Sequence, residues 1–147
     1  MANLEVVALD IATPQIRAAN LSDTYTFPRP VQFQKGTLPR ISTVNTVVSP
    51  LAWNSDNFDV YEIIAQNAAL TISADGGSPV NGQKMLFRIK DNGTARVLAW
   101  TSGATKAFRE MGVVLPLSTV QNKILYVGAI YNATDARWDA IAVGQEI

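Results

Sequence analysis

The sequence has no cysteine and no histidine. Disulfides, thiolate metal sites, cysteine nucleophiles and every scheme that needs an imidazole base are therefore excluded. Charge is also scarce. Asp, Glu, Lys and Arg make up 16% of the chain, against about a quarter in an average soluble domain. Twelve basic and twelve acidic residues cancel, so the balance points neither to nucleic acid nor to an anionic membrane. No apolar run approaches the ~20 residues of a membrane-spanning helix. Met1–Glu5 carries no basic flank and Val6–Leu9 is too short for a signal-peptide core, so synthesis and assembly in a cytoplasm are expected.

What is present is apolar and β-rich. Hydrophobic residues form 48% of the 147, a length that usually makes one domain. Much hydrophobicity with little charge suggests a surface partly covered by other subunits, since interface cores are depleted in charge. The plainer alternative is a neutral monomer rich in Thr, Ser and Asn.

Residues 1–42 read as an extended arm. Pro14, Pro28, Pro30 and Pro39, four of the seven prolines, lie here. Each lacks an amide donor and drives its predecessor towards extended backbone. Tyr25, Phe27, Val31 and Phe33 are interleaved with Pro28 and Pro30, and a disordered tail would be poor in such side chains. An arm of this kind docks on a neighbouring copy, a partner or its own domain, and residues 25–33 are its expected contact segment.

The stretch Asp75–Trp100 organises the remainder. Asp75-Gly76-Gly77 and Asn81-Gly82 read as turns. From Gln83 to Ile89, Met85, Phe87 and Ile89 alternate with Lys84, Leu86 and Arg88, the period of a strand with unlike faces. Asp91-Asn92-Gly93 predicts a hairpin turn, with a return strand over Ala95–Trp100.

This hairpin, with Gly82-Gln83-Lys84, Phe87–Ala95 and Leu98-Ala99-Trp100, resembles a β-domain of tailed-bacteriophage virion proteins. So does the later run of Asn122-Lys123, Leu125–Gly128, Tyr131-Asn132-Ala133 and Trp138-Asp139. Those proteins are fibre, head-fibre and decoration components. The resemblance covers roughly the last 90 residues and implies a structural role in a virion. Members are commonly trimeric, so a homotrimer is expected.

Further strands are predicted over Thr43–Val48, Phe58–Ile64, Ala69–Ser73, Val113–Leu115, Lys123–Tyr131 and Arg137–Val143. Ala107–Met111 fits a short strand or a helical turn. Lys123–Tyr131 is apolar on both faces, as in a central strand covered on both sides. Short strands at regular spacing predict an all-β protein: a β-sandwich over 43–147 with jelly-roll topology.

Chemistry is thinly represented. Asp56, Asp59 and Glu62 cluster, and Asp135 and Asp139 flank Trp138. Paired carboxylates hydrolyse glycosidic bonds, but turn residues and residues on opposite strand faces explain these equally. Asp75, Asp91 and Asp135 offer oxygen ligands without calcium-hand spacing. Asp75-Gly76-Gly77-Ser78 lacks the Gly-Lys-Ser/Thr of a phosphate loop. Asn92-Gly93-Thr94 and Asn132-Ala133-Thr134 match glycosylation acceptors but sit in turns, where Asn is common. Trp100 and Trp138 fall in strands. Trp53 falls in a turn and is the candidate surface aromatic.

The expectation is thus a non-enzymatic virion protein with no cofactor and no metal. Its first form is a trimeric capsid decoration (cement) protein on the outer head surface. Its partners would be copies of itself and the major capsid protein or another virion protein, with no nucleic acid and no membrane. The alternative is a tail-fibre, spike or head-fibre component that binds host glycan. A chain of 147 residues favours the first, because it leaves no room for a long shaft plus a receptor head.

Overall fold

A computed structural model of the chain describes residues 38–147. These residues are all-β, with eight strands and no helix among them. Tyr25, Phe27, Pro28, Pro30, Val31 and Phe33, the expected contact segment of the arm, lie outside the described residues.

The described chain winds between two layers. β1 (Ile41–Val44) lies at one edge of the main sheet, and Leu51 then bridges in parallel to the second layer. β2 (Val60–Gln66) returns to the main sheet, and β3 (Leu70–Ile72) crosses to the second layer. β4 (Lys84–Asp91) and β5 (Leu98–Trp100) repeat the move. Each pass stacks on the one before. Ile41 faces Val60, which faces Leu86. Leu51 faces Ile72, which faces Trp100. The result is a short, solenoid-like winding with parallel neighbours.

The last three strands break the winding. β7 (Leu125–Asn132) runs antiparallel between β4 and β8 (Arg137–Gln145). β6 (Phe108–Glu110) lies parallel to β8 at the far edge, so the main sheet reads β1-β2-β4-β7-β8-β6. A jelly roll is built from antiparallel Greek keys. The parallel pairs β1–β2, β2–β4, β3–β5 and β6–β8 do not follow that plan.

The hairpin expected at Asp91-Asn92-Gly93 does not form, because β4 and β5 belong to different sheets. Gly93 does use its freedom, with φ +96°, but Asn92 is not left-handed. A type I′ hairpin needs positive φ at both central residues. The cause lies in Asp91. Its carboxylate accepts from Gly93 N at 2.9 Å, Thr119 Oγ1 at 2.8 Å and Asn122 N at 3.0 Å. That ties the turn to residues 119–122 and directs the chain out of the main sheet.

Three smaller expectations also change. β1 covers Ile41–Val44 instead of the expected Thr43–Val48, and Arg40 ahead of it bonds Asp59 through backbone and side chain. Val113–Leu115 forms no strand; Leu115 N donates instead to Glu110 Oε1 at 2.8 Å. β7 is central, but only Leu125, Val127, Ala129 and Tyr131 are buried, while Tyr126 stays exposed.

The core lies between the layers. Tyr61, Ile63, Met85, Phe87, Ile89, Val127 and Trp138 come from the main sheet, and Leu70, Ile72 and Leu98 from the second layer. Trp53, expected as a surface aromatic, is only 4% exposed. Its ring lies 5.1 Å from Phe87, 5.8 Å from Phe108 and 5.6 Å from Trp138, centre to centre. The irregular segment carrying it is held from both sides: its Nε1 donates to Ser73 O at 2.8 Å and its carbonyl accepts from Gly76 N at 2.9 Å. A large aromatic contributes more by burial than a turn position costs it.

Candidate functional site

The carboxylates considered for catalysis are each tied to a donor. Asp59 pairs with Arg40 at 2.8 Å, and Glu62 with Arg88 at 2.8 Å. Asp56 accepts from Ser78 N at 3.0 Å. Asp135 and Asp139 both bind Arg109, at 2.9 and 2.8 Å. The Arg40 side chain, then its backbone N–H, holds the Asp59 carboxyl below the usual range. Asp139 and then Asp135 raise the Arg109 guanidinium further above its ordinary value. Neighbouring cations and N–H donors lower carboxylate pKa values, and a general acid needs the opposite.

The three aspartates considered for calcium are not brought together. Asp75 is buried and accepts from Ser55 N at 3.0 Å, Ser55 Oγ at 2.6 Å, Gly77 N at 2.8 Å and Trp138 Nε1 at 3.2 Å. It ties two connections to β8. Asp91 sits in its own turn, and Asp135 is near Arg109. No group of three or more ligating side chains occurs among the described residues. Burial raises the Asp91 pKa, but bonds from Asn122 N, Thr119 Oγ1 and Gly93 N, with the charge of Arg96, outweigh it and leave the group below its ordinary value. Asn92 and Asn132 are engaged locally, Asn92 accepting from Arg96 and Asn132 donating to Asp135.

Two surfaces remain. The first is the outer face of the main sheet. Ile41, Val60, Leu86, Gly128 and Ala142 are successive cross-strand partners from β1 to β8, forming one apolar row across five strands. Beside it runs the row Thr43, Glu62, Arg88, Tyr126. There Thr43 Oγ1 donates to Glu62, Glu62 pairs with Arg88, and the Arg88 guanidinium lies 5.5 Å from the Tyr126 ring centre. Its charges are thus neutralised within the face. Because Gly128 has no side chain, a groove of about 470 Å³ opens there, bounded by Leu86, Ile130, Ile141 and Pro39. Ile41, Ile64 and Ile141 on this side are 54%, 43% and 48% exposed.

The second surface is a cleft of about 500 Å³ beside Trp100, between β6 and the following loop. Phe108, Leu115 and Leu117 line it together with Glu110 and Arg137.

Sequence reasoning missed both surfaces. Gly128 carried a signal, since a glycine inside a β-rich run marks a gap or a close approach. The cleft carried none, because β5, β6 and β8 meet there only in the folded chain.

Among the described residues, fold and surfaces together define an all-β body whose main sheet has a partly exposed apolar outer face. No family model matches the chain, no curated protein matches it in sequence, and no solved structure matches its fold.

Proposed function

We propose that the chain is a bacteriophage virion structural protein: a trimeric capsid decoration (cement) protein that binds and stabilises the outer head surface. One observation supports this most, the apolar row from Ile41 to Ala142 on the outer face of the main sheet, where Ile41, Ile64 and Ile141 are exposed. Contiguous exposed apolar surface marks interaction sites. The scarcity of charge and the resemblance of residues 82–139 to virion β-domains point the same way. On this reading the two layers form a small sandwich body, and the sheet face packs against a second copy within the trimer. The arm, through Tyr25, Phe27, Pro28, Pro30, Val31 and Phe33, attaches to the major capsid protein or another virion protein. Several arms acting together make weak contacts sufficient.

Light scattering on the full chain tests the assembly. Three copies are expected at micromolar concentration, and Ile141→Glu should yield monomers with an unchanged circular dichroism spectrum. A wild-type monomer would refute the trimer. A trimer indifferent to Ile141→Glu would show that this face is not the contact. Copy number per particle separates decoration from the alternative, a tail-fibre, spike or head-fibre component binding host glycan: hundreds of copies against few.

A further inference from the structure

We propose that copies of this chain join edge to edge in the main sheet, the second half of β8 in one copy pairing in parallel with β1 of the next. Both edges are open among the described residues. β6 accompanies β8 only over Trp138–Ala140. Met111 N still donates to Ala140 O, then Gly112 takes φ +75° and that segment pairs with β8 no further. Ile141–Gln145 is therefore bounded by β7 on one side alone. At the opposite end, β1 pairs with β2 and with no other described strand.

The phase of each ladder fixes which backbone groups face outward. Glu146 N donates to Ile124 O, so Tyr126–Gly144 and Gly128–Ala142 are the next bonded pairs of β7 and β8. Bonded and non-bonded pairs alternate in an antiparallel ladder, so Val143 and Gln145 turn N–H and C=O away from β7. In β1, Val60 N donates to Arg40 O, which aims Ser42 and Val44 at β2 and turns Ile41 and Thr43 away from it. The outward N–H and C=O groups of Ile41, Thr43, Val143 and Gln145 have no backbone partner among the described residues.

The two edges fit each other. β1, β2 and β4 run parallel, and two antiparallel steps through β7 bring β8 back to the same direction. A second copy that continues the sheet thus lays its β1 parallel to β8. With Ile41 of that copy opposite Ala142, and its Thr43 opposite Gly144, Val143 N donates to Ile41 O, Thr43 N to Val143 O and Gln145 N to Thr43 O. The same register carries the apolar row that ends at Ala142 on into Ile41, and the row through Tyr126 and Gly144 on into Thr43. Small residues on the β8 edge leave room for branched ones on the β1 edge. A slip by one residue would break the bond phase and reverse the faces. Neither Ile41–Val44 nor Ile141–Gln145 contains a charge or a proline, the usual guards of a free edge. An unrelated extended peptide could satisfy one edge, whereas a second copy satisfies both and extends both rows. The contact is head-to-tail, so it closes into a ring when the rotation between copies divides a full turn. It holds wherever in a virion the chain sits.

The test combines hydrogen exchange, light scattering and cross-linking on the full chain. The amides of Thr43, Val143 and Gln145 should exchange at least about tenfold more slowly at concentrations where light scattering shows an assembly than where it shows a monomer. Val143→Pro, at a position whose N–H β7 does not use, should keep the circular dichroism spectrum and yield monomers; if that variant unfolds, the exchange measurement still decides. The chain has no cysteine, so Thr43→Cys and Gly144→Cys give single handles, and a Cβ at Gly144 meets Tyr126 Cβ at an ordinary 3.9 Å. A short bis-maleimide should join the two variants when mixed and neither variant alone. Four results would overturn the proposal: a monomer at every concentration, an assembly whose three amides stay unprotected, protection that does not change with concentration, or cross-linking of either variant alone as efficient as in the mixture. A trimer with unprotected amides would sink edge pairing and leave the trimer standing, while protected amides in an assembly of another size would do the reverse.

Discussion

Replacing Asp75 by alanine removes the acceptor at which two connections meet β8. Its carboxylate takes hydrogen bonds from Ser55 N, Ser55 Oγ, Gly77 N and Trp138 Nε1. The site is buried: Ser55 is 1% exposed, Asp75 4% and Trp138 0%. In Asp75→Ala the Ser55 hydroxyl can turn elsewhere, but Ser55 N, Gly77 N and Trp138 Nε1 lose their acceptor. Each buried donor left unsatisfied costs about 1–3 kcal/mol. Water entering the space left by the carboxylate would offset part, leaving a loss of about 3–6 kcal/mol, a large fraction of the ~5–15 kcal/mol stability of a domain. Urea unfolding followed by tryptophan fluorescence measures it. With a slope of about 2 kcal/mol per molar urea, the midpoint should fall by about 1.5–3 M. Asp135→Ala, at an exposed ion pair, should change stability by under about 0.5 kcal/mol. If the Asp75→Ala midpoint stays within about 0.3 M of wild type, with the Trp138 indole signal in place, the claim that this carboxylate holds the connections together is wrong.

Two other outcomes follow from the same structure. A Cβ at Gly77 would lie 2.6 Å from Asn54 Oδ1, 2.8 Å from Ser55 Oγ and 3.0 Å from Ser55 N, whereas a Cβ at Gly128 would meet Ala142 Cβ at an ordinary 3.5 Å. Gly77→Ala should therefore lower the melting temperature severely and Gly128→Ala hardly at all; equal effects would contradict the packing around Asp75. Asp59 and Asp91 both have depressed folded pKa values, so their stabilising contributions are fully present above the unfolded value near ~3.9 and are lost as the pH falls through the folded values. The urea midpoint should hold level from neutral to mildly acidic pH and fall below about pH 4, with salt weakening the exposed Asp59–Arg40 part more than the buried Asp91 part. A midpoint that rises on acidification would refute this.

Local residue patterns were enough to read the secondary-structure class and most strand positions. Alternation over 83–89 marks β4 because one face must enter a core and the other must not, and the β-rich run over 123–131 marks β7 for a related reason. The positive φ of Gly82 and Gly93 was legible too, since glycine adopts such angles without a Cβ penalty. Pairing was not legible. Asn-Gly says that the chain turns, not which strand the next segment joins; Thr119 and Asn122, far along the chain, send β5 into the second layer by binding Asp91. Burial of Trp53 was hidden for the same reason, because the rings of Phe87, Phe108 and Trp138 that enclose it come from three different strands. The two candidate surfaces lay furthest from reach. The apolar row from Ile41 to Ala142 exists only once five strands share a register. Glu110 and Arg137 line one cleft only because β6 pairs with β8. Local sequence sets backbone preference and side-chain period, whereas register and the pairing of distant strands arise from contacts between residues far apart in the chain.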